Sequence, residues 1–178
     1  MNSFYSEEEL INLGLKSYGQ NVLISRFARI FNPNLVTIGN NVRIDDFCIL
    51  SGEINIGNMV HISAYVAMYG KSKIEIYDYA GISAKSMLYT EIDDFTGESL
   101  IGPWHDVSKR NVKKGKIILD RYTQIGCNSI IFPDVNIGEG SVVGALSLVK
   151  ENIPSWVVYA GIPAKFIKKR SNNLLGLL

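Results

Sequence analysis

From Leu119 to Val149 an aliphatic residue recurs every six positions, at Leu119, Ile125, Ile131, Ile137, Val143 and Val149. Four places after each comes a small or branched residue: Thr123, Ser129, Val135, Ser141, Ser147 and Ile153. A helix would show three- and four-residue spacing, and a half-buried strand would alternate. A strict six fits neither. A short fixed period marks a solenoid, in which each repeat is one side of a prism and buries its apolar face only against its neighbours. Three hexads close one triangular coil, so residues eighteen apart stack: Leu119 on Ile137, Ile125 on Val143, Ile131 on Val149. Their separation should be that of paired strands, about 4.8 Å. A series of hairpins is the competing arrangement, but hairpin registers drift and this one holds without a slip. The expected fold class is all-β, a parallel β-helix.

The pattern begins imperfectly at Ile24, Ala28 and Ile30, becomes regular at Ile38, Ile44 and Leu50, and repeats at Ile56, Ile62 and Met68. A two-residue slip around Gly70 to Ser72 precedes Ile76, Ile82 and Leu88. Glycine follows the aliphatic residue at several repeats, as tight corners favour. Cys48 falls at an inward small-residue place and reads as core. Ser6 to Glu9 is a capping box that predicts a helix over Glu7 to Leu13, ended by Gly14, with Leu10, Ile11 and Leu13 covering the first coil. Between Tyr89 and Lys116 the period vanishes into a polar stretch carrying Asp93, Asp94, Trp104 and His105. An excursion this long from a solenoid is usually functional. Three regions result: a helical cap over 1–21, a β-helix over 22–154 with its loop at 89–116, and a tail over 155–178. The last seven residues either dock as a short apolar helix or stay disordered.

The chain has 178 residues, enough for one domain with a sizeable core. A formal charge of +1 gives no reason to expect nucleic acid or an anionic membrane as partner. No uncharged apolar run reaches the roughly 18 residues of a membrane span. The first residues lack the basic start and apolar stretch of a secretory signal. Two cysteines suggest a reducing compartment, and a cytoplasmic protein is expected.

The corner Val36-Thr37-Ile38-Gly39-Asn40-Asn41, the run Ile137 to Val149 and the terminal Ala160-Gly161-Ile162-Pro163-Ala164-Lys165 together resemble the hexapeptide-repeat acyltransferases. Within that superfamily, YSEEEL, Ile24-Ser25-Arg26 and NNVRIDDFCILSG are similar to dTDP-4-amino-4,6-dideoxyglucose acyltransferases and, less closely, to galactoside O-acetyltransferases. The resemblance implies a left-handed β-helix, although the general crossover rule alone would give the right hand. It implies a homotrimer with acetyl-coenzyme A in the groove between neighbouring prisms. On that pattern the main chain at Cys127 and Ala145 meets the pantetheine arm. Lys150, Lys165 and Lys168 match positions that meet the cofactor's tail and phosphates, for which ammonium groups are suitable point charges.

Galactoside-type members carry a catalytic histidine where the inserted loop starts. That position falls on Asp93, so the histidine is missing. Two histidines remain, His61 next to the coil position Ile62 and His105 out in the loop, and either is a candidate for the site. Ser63 matches a position that helps line it. Tyr65 and Tyr89 are candidate hydroxyl donors near its mouth, and Trp104 either stacks on a sugar or base ring or pins the loop. Acylating a hydroxyl needs a near-neutral base such as imidazole, whereas a carboxylate of pKa about 4 is poorly matched to that work. An amine is already nucleophilic. It needs only an anion to hold its ammonium form and a place to shed a proton, which Asp93 and Asp94 offer.

The expectation is N-acetylation of a nucleotide-linked amino-deoxysugar, by direct attack on the thioester, in the synthesis of a surface polysaccharide. O-acetylation of a sugar hydroxyl is the rival among enzymes. A non-catalytic trimer that binds a nucleotide-sugar is the rival outside them. Neither cysteine has the setting of a nucleophile. No metal is expected, since the zinc site known on this architecture needs three histidines and the chain has two.

Overall fold

The structure, a computed structural model, describes residues 3–177. Met1, Asn2 and Leu178, at the ends of the expected cap and tail, lie outside the described residues. Ile125 pairs with Val143, Leu119 with Ile137 and Ile131 with Val149, each in parallel strands. The eighteen-residue stack is therefore the wall of the molecule. Three sheets of six, eight and six strands run its length, parallel except for a terminal hairpin on the eight-stranded one, and each coil gives one short strand to each. Six full coils are followed by the start of a seventh.

Alternation within each short strand turns one aliphatic side chain inward. Ile44, Ile62, Ile82, Ile125 and Val143 form one such column, and all are essentially inaccessible to solvent. The second inward position of the hexad explains its serines. Ser86 donates to the Gly126 carbonyl at 3.0 Å, Ser129 to that of Gly144 at 3.0 Å and Ser147 to the same oxygen at 2.7 Å. A small hydroxyl fits the narrow corner and is tolerated there because a carbonyl accepts from it, in the next coil for Ser86 and Ser129 and in its own coil for Ser147. Cys48 takes the same kind of place and is buried.

Several corners depart from the glycine and asparagine expected. Phe47, Tyr65, Tyr79, Tyr122 and Trp156 all have positive φ, a conformation that costs about 1–2 kcal/mol for an L-residue. Stacking between coils offsets it. Ring centroids lie 4.9 Å apart for Phe47 and Tyr65, 5.1 Å for Tyr79 and Tyr122, and 6.4 Å for Tyr122 and Trp156, a geometry that contributes about 0.5–1.5 kcal/mol per pair.

The slip near Gly70 is absorbed without breaking a sheet, since Ile76 pairs with Ile56 on one side and Leu119 on the other. The loop therefore leaves and re-enters between adjacent coils. Its root is a small antiparallel ladder, Glu91 against Lys114 and Ile92 against Lys113.

The capping box forms as read, but the helix runs only Glu7–Ile11 and ends at Asn12. Leu10 is buried and Leu13 packs on the core, whereas Ile11 is 68 % exposed. The expected cover thus loses Ile11, because one step along a helix turns a side chain about 100° away from its neighbour's face. Ser17–Tyr18 already pairs with Thr37 and Ile38, so the column reaches back into the segment read as a cap. At the other end, Val157–Gly161 extends the eight-stranded sheet and Ala164–Lys169 doubles back on it. Arg170 fastens this hairpin, donating to the carbonyls of Tyr122 at 3.0 Å and Gly140 at 2.8 Å. Asn173–Leu177 is a 3-10 turn with no buried residue. No helix among the described residues is long and apolar enough to cross a membrane.

Candidate functional site

One corner of the prism is lined by small residues. Cys127 and Ala145 are exposed there. The corner is continuous from coil to coil: Leu146 N donates to Cys127 O, Asn128 N to Ala84 O, Lys85 N to Ala64 O and Tyr65 N to Asp46 O, at 2.9 to 3.1 Å. Ala145, Cys127, Ala84 and Ala64 leave the main chain open along this line, which suits an extended, amide-rich ligand. Ser83 and Ser63 precede Ala84 and Ala64 on it. Ser83 Oγ accepts from Gln124 Nε2 at 3.0 Å. In the last coils Lys150 and Lys165 line one cavity of about 300 Å³ with Tyr159 and Phe166. Lys168 sits opposite Val158 on the terminal hairpin and is not part of that lining.

The two thiols are in unlike settings. Cys48 donates to the Ser63 carbonyl at 3.1 Å, and burial pushes its thiol up to about 11. Cys127 is exposed. A thiol-specific reagent is expected to titrate one cysteine per native chain and two after denaturation. Two fast-reacting thiols in the native protein would contradict the burial of Cys48.

His61 projects outward from the strand His61–Ile62, between Arg43 on one neighbouring strand and Gly81 on the other. Its Nε2 lies 2.8 Å from Asp45 Oδ2, and Asp45 Oδ1 accepts from Arg43 Nε at 2.7 Å. Partial burial raises the Asp45 carboxyl, but the Arg43 and His61 hydrogen bonds outweigh it and hold it below the usual range. Ser63 lies on the same face, two residues beyond His61. Tyr65 stands at the corner, stacked on Phe47. Tyr89 is directed elsewhere: its hydroxyl faces Met87 Sδ at 3.1 Å and its ring stacks on Tyr69.

The adjacent aspartates of the loop divide in role. Asp94 is consumed by a local turn: Thr96 N and Oγ1 donate to one oxygen at 2.9 and 2.8 Å, and Glu98 N and Ser99 N to the other at 3.1 and 3.0 Å. The Thr96 main-chain bond is the leading cause that holds its carboxyl below the usual range. Asp93 makes longer contacts, with Arg110 Nη2 and Gly102 N, each 3.2 Å away. Trp104 is 95 % exposed. His105 is exposed beside it and makes no hydrogen bond with His61, Asp93 or Asp94.

The structure thus groups His61 with Ser63 and Tyr65, and the adjoining coils with Cys127 and Ala145. Asp93 is not among them. The strand Met87–Tyr89, which forms one side of the prism, lies between it and Ser83 along the chain. Sequence reasoning passed over Ser83, Asp45 and Arg110. The Asp-x-Thr spacing of Asp94 and Thr96, a familiar side-chain turn, was the available signal that this aspartate is structural.

No family model matches the chain. A dTDP-4-amino-4,6-dideoxy-D-glucose acyltransferase of Escherichia coli is 40 % identical over 178 residues, spanning 98 % of this chain and 93 % of its own. AntD, an N-acyltransferase from Bacillus cereus solved with dTDP-4-amino-4,6-dideoxyglucose and coenzyme A, superposes with a TM-score of 0.97. It is 53 % identical, over 99 % of this chain and 95 % of its own. The same enzyme was also solved with dTDP and 3-hydroxybutyryl-CoA, and as variants of one serine and of an aspartate ten positions later. A hexapeptide-repeat acetyltransferase of Vibrio cholerae, 21 % identical with a TM-score of 0.63, shares the fold. With the coil architecture, the open corner and these relatives together, the chain belongs to the dTDP-4-amino-4,6-dideoxyglucose acyltransferase family.

Proposed function

We propose that this protein transfers a short acyl group, acetyl in the simplest case, from coenzyme A to the amine of a dTDP-linked 4-amino-4,6-dideoxyhexose. The observation that carries this reading is Asp93. It is a lightly held carboxylate at the start of the inserted loop, where a hydroxyl-acylating relative has an imidazole. The AntD variants strengthen it, because Asp93 is the only aspartate of this chain with a serine, Ser83, ten positions before it. Asp93 anchors the sugar ammonium and takes its proton, and the free amine then attacks the thioester carbonyl. A corner N–H and the Ser83 hydroxyl meet the developing oxyanion. The carbon–sulfur bond breaks and coenzyme A leaves as a thiol, its sulfur taking the amine's second proton, while Asp93 returns the first to solvent.

A homotrimer goes with this reading. Ser83 and Asp93 stand at opposite ends of one side of the prism, so a single chain does not bring them to one thioester. A neighbouring copy completes the cleft, its corner supplying Ser83, Cys127 and Ala145 and the loop of the first supplying Asp93. Trp104 and His105 extend from that loop towards the neighbour. In this reading the N-terminal segment closes one end, the coils carry the site and the tail meets the cofactor. A cytoplasmic location and a place in surface-polysaccharide synthesis suit an enzyme fed by coenzyme A and a nucleotide-sugar.

The second reading, O-acylation, is favoured by one observation, the His61–Asp45 pair at 2.8 Å, since a carboxylate-held imidazole is the arrangement of a general base. Assaying the amino-sugar nucleotide beside its 4-hydroxyl counterpart decides between the two. Transfer to the amine that survives His61→Ala supports the first reading, and activity confined to the hydroxyl compound overturns it. For the cofactor, the double variant Lys150→Ala/Lys165→Ala is expected to weaken coenzyme A binding about tenfold, roughly 1.4 kcal/mol, with dTDP affinity unchanged. Calorimetric titration reads both.

A further inference from the structure

Among the described residues the Ser83 hydroxyl has one partner, the Gln124 amide of the next coil, whose Nε2 lies 3.0 Å from Ser83 Oγ. Which of the two donates decides what the hydroxyl has left to offer. The same Nε2 lies 3.3 Å from the Ile125 carbonyl oxygen, and a carbonyl only accepts. With the amide turned over, Gln124 would set its own Oε1 against that oxygen. The nitrogen end is therefore the one aimed here, and Ser83 Oγ accepts. The Ile125 carbonyl also accepts from Ser83 N at 2.9 Å. One oxygen, with two lone pairs, thus ties down the main chain of the serine and the amide that addresses its side chain.

Gly81 makes this reach possible. It pairs with Gln124 in the parallel ladder, and Ser83 follows two residues later on the same outward face. The Gln124 side chain crosses over Gly81 to get there, so that a Cβ built on Gly81 would lie 2.4 Å from Gln124 Oε1. Nothing else on the row competes for the amide. His61, on the far side of Gly81, is turned to Asp45, and Val142, beyond Gln124, offers no polar side chain. A hydroxyl has one proton. Having accepted from Gln124, Ser83 directs that proton away from the amide, and no acceptor among the described residues receives it. Ser83 precedes Ala84 on the open corner line, where the unspent donor is available to a ligand.

Resting on the function proposed above, we propose that Gln124 is a positioning residue that fixes the Ser83 hydroxyl as a donor to the thioester oxygen, with Gly81 as the gap across which it acts. Ser83 then keeps its proton throughout and stabilises charge without attacking the thioester. A donor preset in this way needs no reorganisation as the oxyanion develops.

Steady-state kinetics with acetyl-coenzyme A and the dTDP-linked amino-sugar test this on the full-length protein, for the wild type, Ser83→Ala, Gln124→Ala, Gln124→Glu, Gly81→Ala and Ser83→Ala/Gln124→Ala. Ser83→Ala should lose about 10²- to 10³-fold in kcat, the range for one oxyanion donor. Gln124→Ala should lose about tenfold in kcat with both KM values within about twofold, as for a contact that matters only in the transition state. In the Ser83→Ala background the same change should cost less than about twofold, because no hydroxyl remains to be directed. Gln124→Glu separates direction from packing: it keeps the size, but an ionised carboxylate accepts from Ser83 and turns the proton inward. Its kcat should be no higher than that of Gln124→Ala. Gly81 lies outside the left-handed region, and its added Cβ meets only the tip of a flexible side chain. Gly81→Ala should therefore lose kcat much as Gln124→Ala does, with Tm within about 2 °C of the wild type. Additive losses in the double variant, a Gln124→Glu more active than Gln124→Ala, or an unchanged kcat in Ser83→Ala overturns the inference. A wild type that acylates only the 4-hydroxyl counterpart overturns the functional reading, and the same variants assayed on that acceptor decide for Gln124, since either acceptor develops the same oxyanion. A wild type that acylates neither overturns both.

Discussion

Asp93→Asn is expected to lower kcat for acyl transfer to a dTDP-linked amino-sugar by roughly 10²- to 10⁴-fold, the range associated with losing a positioned proton acceptor. The amide keeps the size of the carboxylate and its contact with Gly102, so the loop should hold its shape. What it loses is the anion proposed to draw in an ammonium and accept its proton. Raising the pH should recover part of the loss, because more of the amine then arrives already deprotonated. The companion Asp94→Asn should behave otherwise. Its hydrogen bonds come from Thr96, Glu98 and Ser99, so weakening them loosens the loop and raises KM more than it lowers kcat. Equal kcat losses in the two variants would show that the aspartates act as one unit, against the division of labour seen in their hydrogen bonds.

The largest stability effect is expected at a corner. Gly52 has φ +121°, and a Cβ added there would overlap the Gly70 carbonyl oxygen in the next coil. Each glycine directly follows a strand, Ile49–Ser51 and Ala67–Tyr69, and these two strands are paired in parallel, so neither corner yields cheaply. Gly52→Ala therefore combines backbone strain of about 1–3 kcal/mol with a clash against main chain. A loss of at least about 3 kcal/mol, or about 6–12 °C in Tm for a chain of this length, is expected in thermal denaturation. Gly97 supplies the control. Its φ is +85°, yet nothing lies within 4 Å of a Cβ built on it, so Gly97→Ala should cost only about 1 kcal/mol. Similar losses at both positions would mean that the stacking of coils contributes nothing to the difference.

The coils were legible because a buried position leaves a periodic trace. An inward side chain must be apolar or a small bonded hydroxyl, and the coil repeats that demand every eighteen residues; Ile125 and Val143 could scarcely be read another way. The slip before Ile76 was legible for the same reason. Outward positions carry no such demand. Ser83, Asp45 and Gln124 sit among many polar residues that face water equally well, and only the stacking of coils shows that they share a face. The loop was legible as an interruption, and its missing histidine pointed to Asp93. Arg110 was not, because its meeting with Asp93 depends on a fold-back with no period. The aromatic corners were unexpected since propensity disfavours them one at a time, and their compensation arises only between coils.

Ile74 pairs directly with Ile117 and Ile76 with Leu119, so the ladder closes beneath the loop as though nothing had been inserted. Changes in the intervening residues therefore place little load on the rungs above and below. Acceptor preference can drift, or be re-engineered by exchanging this one segment, while the scaffold and its open corner keep their melting behaviour. In such an architecture, divergence in what is acylated should run ahead of divergence in how the column holds together.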